Sequence, residues 1–200
     1  MLAYGRFIKA SARKLTQHNI AMKLVVLDRD GVINQSGHPI IESPDDWQPI
    51  PGSLEAIARL TQAGVHIAVA TNQSGLARNI ISLDTLHAIH QRMHQAVREA
   101  GGQIDVVVFC PHSDANECTC RKPKPGLLYQ INERLDLDLS QVPVVGDSLR
   151  DIQAAMAANA RPVLVETGKG QQTRDEHGLD HVPCFTDLGA FVEDYLSNAG

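Results

Sequence analysis

Residues 24–31 read Leu24-Val25-Val26-Leu27-Asp28-Arg29-Asp30-Gly31. Four apolar residues in a row fit a strand buried on both faces, as in a parallel sheet. The run ends in two carboxylates one residue apart and then a glycine. In open α/β sheets, ligands bind beyond the carboxyl ends of the strands. A carboxylate pair at that place can hold a hard cation and carry covalent or acid/base chemistry. On its own, the same pair also reads as a solvated acidic turn.

The surrounding pattern decides for a sheet. Strand and helix signals alternate from residue 23 to the C-terminus, which predicts an α/β fold, a parallel sheet with helices on both faces. The strands are expected at 23–28, His66–Thr71, Asp105–Cys110, Val142–Gly146 and Pro162–Glu166. Between the first two, a Pro/Gly/Asp-rich loop runs to Pro51-Gly52, and Ser53 is the expected cap of a helix carrying Leu54, Ile57, Ala58 and Leu60. Ser82 opens a long amphipathic helix that stops at Gly101-Gly102. Further helices are expected over 126–136, 151–159 and 187–197.

The chain has 200 residues, 43% of them hydrophobic and 20% charged, which suits one soluble domain over 22–200. A net charge of −5 argues against a broad electrostatic grip on nucleic acid or an anionic membrane. No apolar run approaches the roughly 20 residues of a membrane helix. Residues 1–21 stand apart, with Arg6, Lys9, Arg13 and Lys14 and no acid. They read as a disordered basic leader, or as translation from an upstream start with Met22 as the alternative. The expectation is a cytoplasmic monomer acting on a small molecule.

The chemistry-bearing residues repeat one architectural position. Asp28 and Asp30 end the first strand, Thr71-Asn72-Gln73-Ser74-Gly75 the second, and Asp147 the fourth, within Gly146-Asp147-Ser148-Leu149-Arg150-Asp151; Lys122 follows the third. Parallel strands put these ends on one edge, where the groups can converge. Taken singly, Thr71 is a turn hydroxyl, Lys122 a solvated cation and Asp151 an acid at a helix start, which the helix dipole favours. Together they suit phosphate-ester chemistry: carboxylates to hold Mg²⁺, with Thr71 and Lys122 to stabilise the transferring group.

In this order the motifs resemble the haloacid dehalogenase superfamily of phosphohydrolases, over about residues 23–168. The resemblance implies a Rossmann-like sheet. It implies that Asp28 is the nucleophile and forms an aspartyl-phosphate, and that Asp30 is the general acid and base. It places Mg²⁺ on Asp28, the backbone carbonyl of Asp30, and Asp147. Asp30 can exchange its proton only if its side chain is not a metal ligand. The 40 residues between Asp30 and Thr71, and the 50 between Thr71 and Lys122, leave no room for a large cap domain. An essentially capless, open site is expected.

Cys110-Pro111-His112 and Cys118-Thr119-Cys120 give C-x-H-x₅-C-x-C. Four such ligands in eleven residues match a closed structural Zn²⁺ site, with a disulfide as the alternative. The metal would fold an otherwise structureless loop and set the reach of Arg121 and Lys122. Cys184 has no partner in sequence. His87, His90 and His94 lie on the long helix and read as surface residues.

The zinc loop with Arg121-Lys122-Pro123 narrows the resemblance to two branches of the superfamily, one acting on a heptose bisphosphate and one on histidinol phosphate. Thr71–Arg78 looks like the heptose branch, and the short x₅ loop like the histidinol branch. Val32, Asn79 and Ser148 depart from the heptose pattern; Ser148 stands where some of those enzymes carry a substrate-binding lysine. A phosphorylated sugar with two phosphates needs a second anion site. Arg121 is placed to supply it as a bidentate clamp, with Arg78 a weaker candidate. The remaining expected substrate contacts are Arg29, Ser36, Gly37, His38, Pro39, Asn72, Gln73 and Ser74.

Overall fold

The computed structural model describes residues 23–36 and 40–198. The expected leader, and with it Gly37, His38 and Pro39, lies outside the described residues. Six parallel strands form one sheet: β1 (Leu24–Leu27), β2 (His66–Asn72), β3 (Val106–Cys110), β4 (Pro143–Gly146), β5 (Arg161–Val165) and β6 (Cys184–Phe185), in the order β3-β2-β1-β4-β5-β6. The helices are α1 (Ser53–Gln62), α2 (Leu83–Glu99), α3 (Gly126–Leu135), α4 (Leu149–Ala157), α5 (Gly170–His177) and α6 (Leu188–Asn198). Of these, α5 and β6 were not expected from the sequence.

The apolar run of β1 is continuous because both faces of the sheet are covered. Side chains alternate across a strand. Val25 and Leu27 therefore join one core with Ile67, Val69 and Val145, roofed by Ile57 and Leu60 of α1, Ile89 and Met93 of α2, and Phe191 of α6. Leu24 and Val26 face the other core, with Ala68, Ala70 and Val144, under Leu127 and Ile131 of α3 and Ala154 and Ala155 of α4. Leu24 pairs with His66 and Leu27 with Val69 on one side, while Leu27 meets Val145 on the other.

This order has a chemical consequence. From β1 the chain moves outward to β2 and β3, then returns to place β4 on the opposite flank of β1. The connections leaving β1 and β4 thus run in opposite directions at the topological switch point, the expected ligand crevice of such sheets. Asp28 stands at that edge, directly after β1 and still paired with β4, its backbone N–H donating to Val145 O at 2.9 Å.

Two helix starts differ in kind. Ser82 caps α2 as expected, its hydroxyl accepting the N–H of Thr85 at 3.0 Å. Ser53 does not cap α1. Gly52, with φ +83°, precedes that helix, and the Ser53 hydroxyl instead donates to Val32 O at 2.7 Å, tying the loop after β1 down. Trp47 continues this anchoring, its indole N–H donating to Asn34 Oδ1 at 3.0 Å.

Ile57 is fully buried in the first core, where α1 packs on β2 and α6. Ile57→Ala removes methyl groups from a site closed on every side. The expected cost is about 2–5 kcal/mol, read as a lowered midpoint of urea unfolding with unchanged slope.

Candidate active site

The C-terminal ends of β1, β2 and β4, with the loops after β3 and β5, enclose a cleft of about 760 Å³. Its floor is an ion cluster. Asp28, Asp147 and Asp151 each bring a carboxylate oxygen within 4.8 Å of the others. One ammonium stands among them: Lys122 Nζ lies 3.0 Å from Asp28 Oδ1 and 2.5 Å from Asp151 Oδ1, and donates to Ala70 O at 2.7 Å. The buried ammonium thus has two ion-pair partners and one carbonyl acceptor. Burial disfavours its charge, but the two carboxylates overcome that and raise its pKa.

Lys122 is carried there by its backbone. Its N–H donates to Asn72 Oδ1 and its carbonyl accepts from Asn72 Nδ2, both at 3.1 Å, so the asparagine ending β2 grips the loop after β3. Asp151 is placed by a capping box at the start of α4. Its Oδ2 accepts from the Ser148 hydroxyl at 2.5 Å and from the Ser148 N–H at 3.1 Å.

The cluster holds more negative charge than one lysine neutralises. Burial, then repulsion from Asp151, pushes Asp147 up to about 7, against the opposing bond from the Lys169 N–H. Burial raises Asp28 well above the usual carboxylate range, Lys122 lowers it, and Asp151, Asp147 and Asp30 raise it further. A hard divalent cation fits this donor set, all carboxylate oxygen and short of positive charge. The backbone allows a close approach: a Cβ on Gly31 would stand 2.0 Å from Asp147 Oδ2, and one on Gly168 2.2 Å.

Asp30 has the opposite environment. Its Oδ1 accepts from Arg29 Nη2 (2.9 Å), Arg29 Nε (3.2 Å) and Asn34 Nδ2 (2.9 Å); its Oδ2 accepts from Arg29 Nη2 (2.9 Å) and Gln73 Nε2 (3.0 Å). Burial alone would raise its pKa, but Arg29 and these bonds hold it below the ordinary value. Gln73 also donates to Thr71 Oγ1 at 2.9 Å, which fixes that buried hydroxyl.

The sequence has close counterparts. A family model described as "HAD-hyrolase-like" matches residues 119–190. The chain is 50% identical over 179 residues to the D-glycero-beta-D-manno-heptose-1,7-bisphosphate 7-phosphatase of Bordetella bronchiseptica, covering 89% of this chain and 100% of that protein. It is 52% identical over 175 residues to the enzyme of the same name from Neisseria meningitidis serogroup A, with coverages of 86% and 94%. A crystal structure of D,D-heptose 1,7-bisphosphate phosphatase from B. bronchiseptica, complexed with magnesium and phosphate, superposes with a TM-score of 0.86 at 50% identity, over 88% of this chain and 99% of that one. The chain belongs to the heptose bisphosphate phosphatase family of HAD-like hydrolases.

The heptose phosphatase fold brings most of the sequence candidates into one cleft. Asp28, Asp30, Ser36, Thr71, Asn72, Gln73, Ser74, Arg121, Lys122 and Asp147 all line it. Arg29 borders it but is 1% exposed, with its guanidinium turned onto Asp30 and His90. It braces a carboxylate rather than reaching for substrate. Arg121 is engaged at the rim, donating from Nε and Nη2 to Asp114 at 2.9 and 3.2 Å and from Nη1 to His112 O at 3.2 Å. Arg78 is exposed and does not line the cleft.

The expectation of three surface histidines on α2 holds for His87, which is exposed, and fails for His90, which is buried beneath the Asp30 network. Sequence reasoning also missed α5. The Lys169 N–H donates to Asp147 Oδ2 at 2.9 Å and the Thr173 hydroxyl to Asp147 O at 2.9 Å, while Lys169 and His177 line the cleft. Gly168-Lys169-Gly170, at a strand end, was the available signal.

Crowded carboxylates make magnesium-free protein sensitive to alkali. A carboxyl with a raised folded-state pKa stabilises the fold at low pH and loses that contribution as pH rises through about 7. Magnesium needs the ionised form, so its stabilising effect grows over the same interval. Urea unfolding at pH 5.5 and pH 8, with and without magnesium, is expected to show the larger magnesium-dependent gain at pH 8.

Proposed function

We propose that this protein hydrolyses the 7-phosphate of D-glycero-D-manno-heptose 1,7-bisphosphate through an aspartyl-phosphate on Asp28. The observation that carries the reading is the Asp28–Lys122–Asp147 cluster at the cleft floor, in a chain about half identical to enzymes of that name over nearly their whole length. Those relatives are named for the β anomer, and the reading takes that anomer.

Asp28, Asp147 and the backbone carbonyl of Asp30 would hold Mg²⁺. When bound, magnesium neutralises phosphate oxygens and lets an anionic nucleophile approach. Asp28 attacks phosphorus while Lys122, fixed on both neighbouring carboxylates, steadies charge on the transferring group. Asp30 protonates the departing sugar oxygen and then takes a proton from the water that cleaves the aspartyl-phosphate. It rests as a carboxylate, the form that second step requires. A phosphate dianion drawn in beside it raises its proton affinity for the first step.

The second phosphate of the substrate finds counter-charge at the rim. Arg121 and Arg150 share one acceptor, Asp114, with Arg150 Nη1 at 3.1 Å. Lys169 lines the same cleft. Ser36 and Ser74 offer hydroxyls to the sugar between them.

Cys110, His112, Cys118 and Cys120 are read as the ligands of a structural zinc. Their donor atoms lie within 4.8 Å of one another, with Sγ–Sγ distances of 3.8 Å (Cys110–Cys118) and 3.3 Å (Cys110–Cys120). Ligand sulfurs at the corners of a zinc tetrahedron sit about 3.8 Å apart. All four cysteines of the chain are free thiols in the structure, which supports the zinc reading over a disulfide. The cluster ends two residues before Lys122, and thus fixes how that lysine enters the cleft.

Two outcomes are expected. Asp28→Asn is expected to lower turnover at least about a thousandfold with circular dichroism unchanged; the substrate reading is tested separately by phosphate release from α and β heptose bisphosphate and from histidinol phosphate, and fails if histidinol phosphate is preferred. Cys118→Ala is expected to release about one equivalent of zinc per chain, read by metal analysis, and to lower activity through displacement of Lys122.

A further inference from the structure

His90 takes no part in the chemistry above, yet it sits directly behind it. Its ring is 7% exposed and stands edge-on to Phe109, centroids 6.0 Å apart at 63°. Its Nε2 lies 3.3 Å from Arg29 Nη1. Arginine only donates, so Nε2 is the acceptor and the ring proton belongs on Nδ1. Burial, then the charge of Arg29, depresses His90 to about 3, which keeps the ring neutral and able to accept.

The same guanidinium spends its other face on Asp30, through Nε and Nη2. Arg29 is therefore held from both sides, by an imidazole behind and a carboxylate in front. Remove the imidazole and Nη1 is left buried without that acceptor. Such a donor is costly, and a long side chain relieves the cost by turning toward the polar cleft. The fork on Asp30 would turn with it. The two oxygens of Asp30 are not equivalent: Oδ1 takes three donors and Oδ2 two. Oδ2 is the oxygen with room to exchange a proton with a ligand, provided the carboxyl plane stays put.

We propose that His90 is a positioning residue for phosphoryl transfer: by anchoring the back of the Arg29 fork, it holds the Asp30 carboxyl in the plane that presents Oδ2 to the leaving oxygen. This rests on the reading of Asp30 as acid and base. In the step concerned, a bond forms between an Asp28 oxygen and phosphorus, the bond from phosphorus to the sugar oxygen breaks, and the Asp30 proton passes to that oxygen.

Because the anchor serves proton donation, its removal must hurt poor leaving groups most. An alkoxide needs the proton; p-nitrophenolate leaves without it. For the full chain with magnesium, single-turnover rates on the heptose bisphosphate and on p-nitrophenyl phosphate separate the two. His90→Leu is expected to slow the sugar phosphate about tenfold with KM changed less than about twofold, and to slow the aryl phosphate at least about threefold less. His90→Gln restores an acceptor oxygen near Nε2 and is expected to recover most of the sugar-phosphate rate. Should the leucine variant not fold, Arg29→Lys keeps the charge, loses the fork, and is expected to show the same dependence on leaving group. Equal losses on both substrates, or no loss, or a glutamine variant no better than the leucine one, overturns the proposal. Whether wild-type protein cleaves the heptose bisphosphate is decided independently; if it does not, the same comparison runs on whichever alkyl phosphate it does cleave.

Discussion

Three carboxylates compete for one ammonium where β1 and β4 part, and the rest of the molecule is arranged around that shortage of positive charge. Lys122 is buried and shared between Asp28 and Asp151. Asp147 gets no ion pair of its own, only backbone help from α5. Buried like charges at this spacing repel by several kcal/mol unless a cation intervenes. The site is thus preloaded for a divalent ion and a phosphate together, each relieving what the other would worsen.

Asp28 and Asp30 show how neighbours in sequence acquire different chemistry. They are two residues apart and both largely buried, but one faces the carboxylate cluster and the other faces Arg29, Asn34 and Gln73. Their proton affinities move in opposite directions. Lys122 favours the anion of the first against the pull of burial and its acidic neighbours, which suits a nucleophile aimed at phosphorus. The second is wrapped in donors and kept out of the cluster, which suits proton exchange. Strand alternation alone would have put both side chains on one face. The chain turns instead at Arg29, whose carbonyl accepts the N–H groups of Ile33 and Asn34 at 2.8 and 3.1 Å, and that turn splits their surroundings.

Much of this was legible because local pattern and tertiary role coincide. The doubly covered β1 had to be a continuous apolar run, and the convergent groups had to follow strand ends. What stayed hidden depends on packing between distant segments. His90 carries the same helical spacing as His87 and His94, and only the seating of α2 over Arg29 separates them. Arg29 reads as a cleft cation until the structure shows its guanidinium turned back. Ser53 looks like a cap, since nothing local reveals that Val32 O lies within reach. Helix α5 is a polar stretch with few apolar positions, and it is held by bonds to Asp147 rather than by a hydrophobic stripe.

Ser148 ties the departure from the family pattern to the machinery. Where some heptose enzymes carry a lysine, this chain has a hydroxyl that bonds Asp151 Oδ2, while Asp151 Oδ1 holds Lys122. The Ser148 hydroxyl completes the capping box that aims Asp151. Arg150, two residues on in α4, and Lys169, at the start of α5, also line the cleft and bring positive charge to it. With no cap domain among the described residues, these rim side chains are what an arriving sugar meets first. Arg121, Arg150 and Lys169 line the cleft beside a floor where buried Lys122 is paired with Asp28 and Asp151. Ser148 belongs to both regions: it lines the cleft, and its hydroxyl bonds Asp151, which in turn pairs with Lys122.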